Sequence, residues 1–158
     1  MSNPKVSVIM PAYNAARTLR EAVGSILNQT FPDIELIVCD DASTDVTSSV
    51  LQSITDERLR VIHNEVNLGS GLSRDKAIDI STGEMLAFAD ADDAWEPERL
   101  EVLLDATVAS KNTMVFDDIL ECFDTPSGMK PWQPLRGSKA FGGDGKAVID
   151  VPIDQFIC

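Results

Sequence analysis

Val6-Ser7-Val8-Ile9-Met10, followed by Pro11-Ala12-Tyr13-Asn14, is the stretch that decides the fold. A short, β-branched and nearly unbroken apolar run has the pattern of a strand buried on both faces. Pro11, which has no backbone N–H, predicts its end. After the turn at Asn14, Leu19, Ala22, Val23, Ile26 and Leu27 recur at i, i+3, i+4, i+7 and i+8, the spacing of a helix with one apolar face. Thr18-Leu19-Arg20-Glu21 has the form of a capping box at its start, and Phe31-Pro32-Asp33 stops it.

The same unit then repeats along the chain. Ile34 to Cys39 reads as a second strand, running into Asp40-Asp41-Ala42-Ser43. Asp45 is placed to cap a helix with Val46, Val50 and Ile54 on one side. Leu59 to His63 is a third strand, and Leu68-Gly69-Ser70-Gly71 opens a helix to about Ile80. Met85 to Ala89 is a fourth strand, ending in Asp90-Ala91-Asp92-Asp93. Pro97 suits the first turn of a helix carrying Leu100, Leu103, Leu104 and Val108. Strand and helix alternating four times predict an α/β fold: a Rossmann-like, mostly parallel sheet with helices on both faces. A short fifth strand is expected near Thr113 to Phe116. The stretch from about Thr125 to Gly145, rich in Gly, Pro and polar residues without a period, reads as a loop. The sequence stops at Cys158 with no terminating signal, as if more chain follows.

At 158 residues the chain can bury one substantial core. No window is apolar for long enough to span a bilayer, and Met1 to Lys5 lacks the apolar stretch of a signal peptide, so a cytoplasmic protein is expected. Cys39, Cys122 and Cys158 have neither metal-like nor redox spacing, which fits reduced thiols. Thirteen basic against 26 acidic residues give a net charge of −13, which repels nucleic acid and argues against a DNA- or RNA-binding module.

In open parallel sheets, ligands bind at the carboxyl ends of the strands. This sequence places there Pro11, Tyr13 and Asn14, then Asp40 and Asp41, then Asn67 to Arg74, then Asp90, Asp92 and Asp93. Asp90 and Asp92 share one side of an extended segment. Two carboxylates at about 4 Å repel by roughly 4 kcal/mol at an effective dielectric near 20, so the cluster calls for a cation or a retained proton. Hard oxygen ligands suit Mg²⁺ or Mn²⁺, which complete their shells with phosphates and water. Each residue also has a plainer reading. Asp93 could cap the helix containing Pro97, and Asp40 and Asp41 could cap the one near Ser43. Tyr13 could be ordinary packing, and Arg74 a surface helix residue. In the ligand reading, Tyr13 offers a stacking face to a nucleobase, Asp41 accepts from a base N–H, and Arg74 donates to diphosphate oxygens. His63 is given no role.

Taken together, five stretches resemble the inverting family 2 glycosyltransferases, whose fold is the nucleotide-diphospho-sugar transferase (GT-A) fold. They are Val6 to Asn14, Ser25 to Thr30, Glu35 to Asp45, Asn67-Leu68-Gly69, and Phe88 to Trp95. They stand in the family's order and spacing over about the first 110 residues. The resemblance implies a base pocket lined by Pro11 and Tyr13, with Asn14 beside them and Asp41 on the base ring. Arg74 would lie by the diphosphate, and Asp90 near the ribose or sugar. Asp92 would coordinate a divalent metal, Mn²⁺ or Mg²⁺, with Asp93 its acidic neighbour. The implied reaction moves a sugar from a nucleotide-sugar donor, UDP-linked by expectation, to a saccharide or lipid-linked acceptor hydroxyl with inversion. The implied setting is surface polysaccharide or glycolipid synthesis at the inner face of the membrane.

One departure stands out. The family's acceptor half carries a carboxylate general base, often in a Glu-Asp pair, and no such pair follows residue 110. Asp117, Asp118, Asp144, Asp150 and Asp154 have no matching context. The catalytic base is therefore unassigned. Residues 1–116 are expected to form the donor-binding domain, and 117–158 the start of an acceptor-side region. Competing readings are a nucleotide-binding fragment without catalysis, a sugar nucleotidyltransferase and a receiver domain. Pro11-Ala12-Tyr13-Asn14 lacks the Gly- and Lys/Arg-rich loop of nucleotidyltransferases. A receiver's paired aspartates follow its first strand, whereas here they follow the second.

Overall fold

The computed structural model describes residues 3–107 and, farther along, the backbone of four strands within 116–147. The chain divides into two compact units, Met1–Leu100 and Glu101–Cys158. The first unit is built on β1 (Val6–Ala12), β2 (Ile34–Asp40), β3 (Leu59–His63) and β4 (Met85–Phe88), all parallel, in the order β3-β2-β1-β4. Between them lie α1 (Leu19–Leu27), α2 (Thr47–Gln52) and α3 (Ser70–Asp79). The steps from β1 to β2 and β2 to β3 run one way, and the step from β3 to β4 runs back. Right-handed crossovers therefore place α1 and α2 on one face and α3 on the other. Ile9, Ile37, Cys39 and Ala77 form the core on the α3 side. Every residue of β1 and β2 is buried, as the unbroken apolar runs predict.

Pro11 does not end β1. The strand continues to Ala12, paired with Asp40 of β2. Ile9 uses its carbonyl toward β4, accepting from Ala89 N at 3.0 Å, so the alternation of the ladder turns Pro11 to that same side. Pairing with β4 stops at Ile9–Phe88. The missing N–H thus falls where no ladder bond is needed, and Pro11 ends the β1–β4 pairing while β1–β2 continues.

Three expected helix details differ. Thr18 makes no side-chain cap; its hydroxyl turns to the Ala91 carbonyl, 2.9 Å away, so no capping box forms. Asp45 does accept the Thr47 N–H at 2.8 Å, but the buried residues of α2 are Thr47 and Leu51, while Val46 is exposed. Pro97 lies two residues ahead of α4 (Arg99–Thr107), and its carbonyl accepts Thr30 N at 2.9 Å. Of the apolar residues predicted for that helix, Leu100 is buried, and Val108 lies outside the described residues.

The second unit contains β5 (Phe116–Asp117) paired antiparallel with β8 (Lys146–Ala147), and β6 (Leu120–Thr125) paired antiparallel with β7 (Gly128–Pro134). The expected fifth strand meets β5 at Phe116, and 113–115 lie outside the described residues. The expected loop over 125–145 is corrected over β7, which is a hairpin strand. Its prolines disguised it. Pro131 pairs with Cys122, and the register slips between Glu121 and Cys122, the kind of irregularity at which a strand tolerates proline. No helix among the described residues is long and apolar enough to cross a membrane.

Candidate functional site

Because β2 and β4 flank β1 on opposite sides, the loops leaving β1 and β4 diverge and open a cleft at the carboxyl edge of the sheet. Its volume is about 370 Å³, and Pro11, Tyr13, Asn14, Asp41, Asp90 and Asp92 all line it, together with Arg17 and Ser70. Six of the eight residues singled out in the sequence therefore meet in one place. Arg74 reaches it indirectly, through an ion pair with Asp90. Asp93 follows in the same turn, its N–H bonded to the Asp90 carbonyl at 3.2 Å. Helix α4 starts six residues later, so Asp93 is not its cap.

Tyr13 is half exposed on the cleft wall. Asn14 sits at φ 49°, in the left-handed region that asparagine tolerates. Its amide oxygen accepts Thr44 N at 2.8 Å, and its own N–H donates to Ser43 Oγ at 2.9 Å. Asn14 thus clamps the β1–α1 loop to the β2–α2 loop, which holds Tyr13 at the mouth.

Asp41 is 2% exposed and its oxygens are already occupied. One accepts Asn64 Nδ2 and Leu68 N, and the other Gly69 N, each at 2.8 Å. Burial pushes the pKa up. The N–H of Leu68, the Asn64 amide and the N–H of Gly69 outweigh it and hold the carboxyl below its ordinary value. Gly69 at φ 84° supplies the backbone geometry that turns both N–H groups toward this carboxylate. With three of about four acceptor positions filled, Asp41 has little left for a ligand and chiefly shapes the β3–α3 loop. The neighbouring Asp40 accepts Ser43 N at 3.1 Å and lies 3.2 Å from His63 Nδ1.

The acidic turn is different, since Asp90, Asp92 and Asp93 are all exposed. Partial burial, then the charges of Asp92 and Asp90, raise the pKa of Asp93 above its ordinary value against an opposing pull from Arg99. The Asp92 and Asp90 charges thus still bear on Asp93 even with Arg74 on Asp90. Among the described residues no three His, Cys, Asp or Glu side chains converge as a ready-made metal cage. An ion of the Mg²⁺ class commonly takes one or two carboxylates and fills its shell with phosphates and water, and Asp92 and Asp93 fit that use.

The sequence reading missed the side chains that hold this turn. Thr18, Ser25 and Gln29, on or next to α1, bond to Ala91, Trp95, Glu96 and Leu100. Their signal was present in the stretch Ser25 to Thr30, where Gln29 is buried and Ser25 half-buried without belonging to the apolar stripe. Arg99 stacks over the Trp95 ring, 4.3 Å from its centroid.

Comparison with known proteins agrees with this architecture. The model of the family described as Glycosyl transferase family 2 matches residues 7–151. An Escherichia coli protein named UDP-Glc:alpha-D-GlcNAc-diphosphoundecaprenol beta-1,3-glucosyltransferase WfgD is 36% identical over 116 residues, which are 73% of this chain and 45% of that protein. The crystal structure of S. aureus TarS 1-349 in complex with UDP superposes with a TM-score of 0.63 at 33% identity, covering 66% of this chain and 32% of that one. The mannosyltransferase PcManGT from Pyrobaculum calidifontis, in complex with GDP-Man and Mn²⁺, superposes with a TM-score of 0.59 at 29% identity, covering 80% of this chain and 37% of that one. The chain thus spans less than half the length of these relatives. Its sheet is that of the GT-A glycosyltransferases, and the chain belongs to glycosyl transferase family 2.

Proposed function

We propose that residues 1–116 bind the donor of a glycosyltransferase that moves a sugar from a nucleoside diphosphate, UDP in the first instance, to an acceptor hydroxyl with inversion. The observation that carries this reading is the cleft at the β1/β4 switch, which Tyr13 lines together with Asp90 and Asp92 of the acidic turn. Tyr13 stacks on the base, and Pro11 and Asn14 shape the pocket around it. Arg74, paired with Asp90, offers a planar cation to the diphosphate beside the acidic turn. A divalent ion held by Asp92 and Asp93 against the diphosphate would supply charge neutralisation as the nucleoside diphosphate leaves. The bound UDP of the TarS structure and the GDP-Man and Mn²⁺ of the PcManGT structure support the donor class and the metal.

The E. coli relative is named for a diphosphoundecaprenol-linked acceptor, which supports a saccharide or lipid-linked acceptor. We assign 117–158 to the beginning of the acceptor side and assign the general base to no described residue. Calorimetric titration with UDP and GDP, with and without Mn²⁺, tests the reading. UDP binding that Mn²⁺ strengthens, with that strengthening lost in Asp92→Ala, whose exposed site leaves the fold intact, is the expected result. Absence of any nucleotide binding would refute it.

A further inference from the structure

Between the end of β4 at Phe88 and the start of α4 at Arg99 the chain belongs to neither sheet nor helix, yet this segment carries the acidic turn. Its backbone is held by one helix. Thr18 Oγ1 donates to Ala91 O at 2.9 Å, and Trp95 N donates to Ser25 Oγ at 3.0 Å. Gln29 Nε2 donates to Glu96 O at 2.7 Å, while its Oε1 accepts Leu100 N at 2.9 Å. Thr30 N donates to Pro97 O at 2.9 Å. Within the segment partner numbers rise together, from 18 with 91 through 25 with 95 and 29 with 96 to 30 with 97, so it lies along α1 in the same direction.

Thr18 stands at the N-terminal cap of α1, Ser25 in its last turn, and Gln29 two residues past its end, so the three hold the segment along the whole length of the helix. The buried set Leu19, Ala22, Val23 and Ile26 seats α1 in the core. Ser25 is further fixed by donating to Ala22 O at 2.8 Å, and Gln29 by donating to Ser25 O at 3.1 Å. Neither Ser25 nor Gln29 lines the cleft, and Gln29 is buried, so neither touches a donor there.

We infer that Ser25 and Gln29 are positioning residues for Asp92 and Asp93: through the Trp95 N–H and the Glu96 carbonyl they set where the two carboxylates stand. This rests on the donor-site reading above. It explains why a polar pair near the end of α1 bonds, across the intervening packing, to the segment that follows the acidic turn. Groups that orient a metal's ligands typically alter its affinity about 10- to 100-fold when removed.

The test uses the full chain and UDP as the probe, titrated with and without Mn²⁺, for wild type, Ser25→Ala, Ser25→Thr and Gln29→Met. Ser25→Ala and Gln29→Met should weaken the Mn²⁺-dependent affinity at least about tenfold. UDP binding without Mn²⁺ should be unchanged, and Ser25→Thr, which keeps the hydroxyl, should recover the loss. Amide hydrogen exchange without ligand or metal gives a second readout, with Trp95 N–H speeding up in Ser25→Ala while β1 and β2 hold. Should Gln29→Met not fold, the Ser25 pair decides alone. Equal losses with and without Mn²⁺, in step with a fall in Tm, would mean a merely structural role and overturn the inference. So would an unchanged Mn²⁺-dependent affinity. Wild type that binds no UDP overturns the donor-site reading and this inference with it, whereas a binding wild type with indifferent variants removes only the positioning role.

Discussion

The carboxylate of Asp41, at the end of β2, receives the backbone N–H of Gly69, at the start of α3, across 2.8 Å. Two strands that are neighbours in the sheet thereby share one loop arrangement at the cleft. Asp41→Ala should strand two backbone N–H groups, those of Leu68 and Gly69, along with the Asn64 amide. Leaving buried donors unpaired costs about 1–3 kcal/mol each, so a loss of at least about 2 kcal/mol is expected, measured by urea denaturation. Asp41→Asn should be intermediate, since it keeps one acceptor oxygen. Full stability in Asp41→Ala would contradict the structural role.

Tyr13 faces the cleft without being part of the core, so Tyr13→Ala should leave the melting temperature nearly unchanged while weakening UDP binding. Stacking of a base on an aromatic ring is worth about 1–3 kcal/mol, which is roughly 5- to 150-fold in Kd. Tyr13→Phe should bind like wild type in the same calorimetric titration. Equal affinities of Tyr13→Ala and wild type would remove the ring from the base pocket.

At the opposite edge of the sheet, Glu35 lies among Ser7, Arg60 and Thr82. It accepts Ser7 Oγ and Thr82 N at 2.6 Å and Arg60 at 2.8 Å. Burial would raise its pKa, but these donors prevail and bring it down to about 2. A carboxylate depressed in the folded state stabilises fully above its unfolded pKa and stops doing so as pH falls through the folded value. Stability should therefore decline from about pH 4.5 toward pH 2. Glu35→Gln should be less stable at neutral pH, by on the order of 2 kcal/mol, and should lack this part of the acid dependence. Thermal melts across pH for both proteins check it, and parallel profiles would count against it.

Gly83 is required by closeness rather than by backbone angle. A Cβ there would stand 2.6 Å from both the N and Oγ of Ser7 and 2.9 Å from the carbonyl carbon of Val6, against the backbone at the start of β1. Gly83→Ala should destabilise by about 1–3 kcal/mol, the usual cost of forcing atoms into a packed interior. A chemical denaturation curve superposing on wild type would show that the strand yields more easily than its packing implies.

Much of the fold follows from composition and order along the chain. The apolar runs Val6 to Met10 and Ile34 to Cys39 demand burial on both faces, and the helix-period segments between them leave a parallel sheet as the arrangement that covers both. The candidate site was legible to the extent that its residues end strands, as Tyr13, Asp41 and Asp90 do. The prolines of β7 show the limit: Pro131 and Pro134 read locally as breakers, and only pairing with β6 makes a strand of them.

The sequence by itself determined which residues meet at the sheet's carboxyl edge, because strand ends converge there whatever the details of packing. Tertiary structure alone decided what each residue does once there. Asp41 and Asp92 are both aspartates just past parallel strands, yet backbone N–H groups of a distant loop fill the first, while the second stands exposed. Such partners come from segments about thirty to seventy residues away, as with Leu68 for Asp41 and Gln29 for Leu100. Local periodicity carries no record of hydrogen bonds formed over that separation, since they exist only once the sheet has brought the loops together.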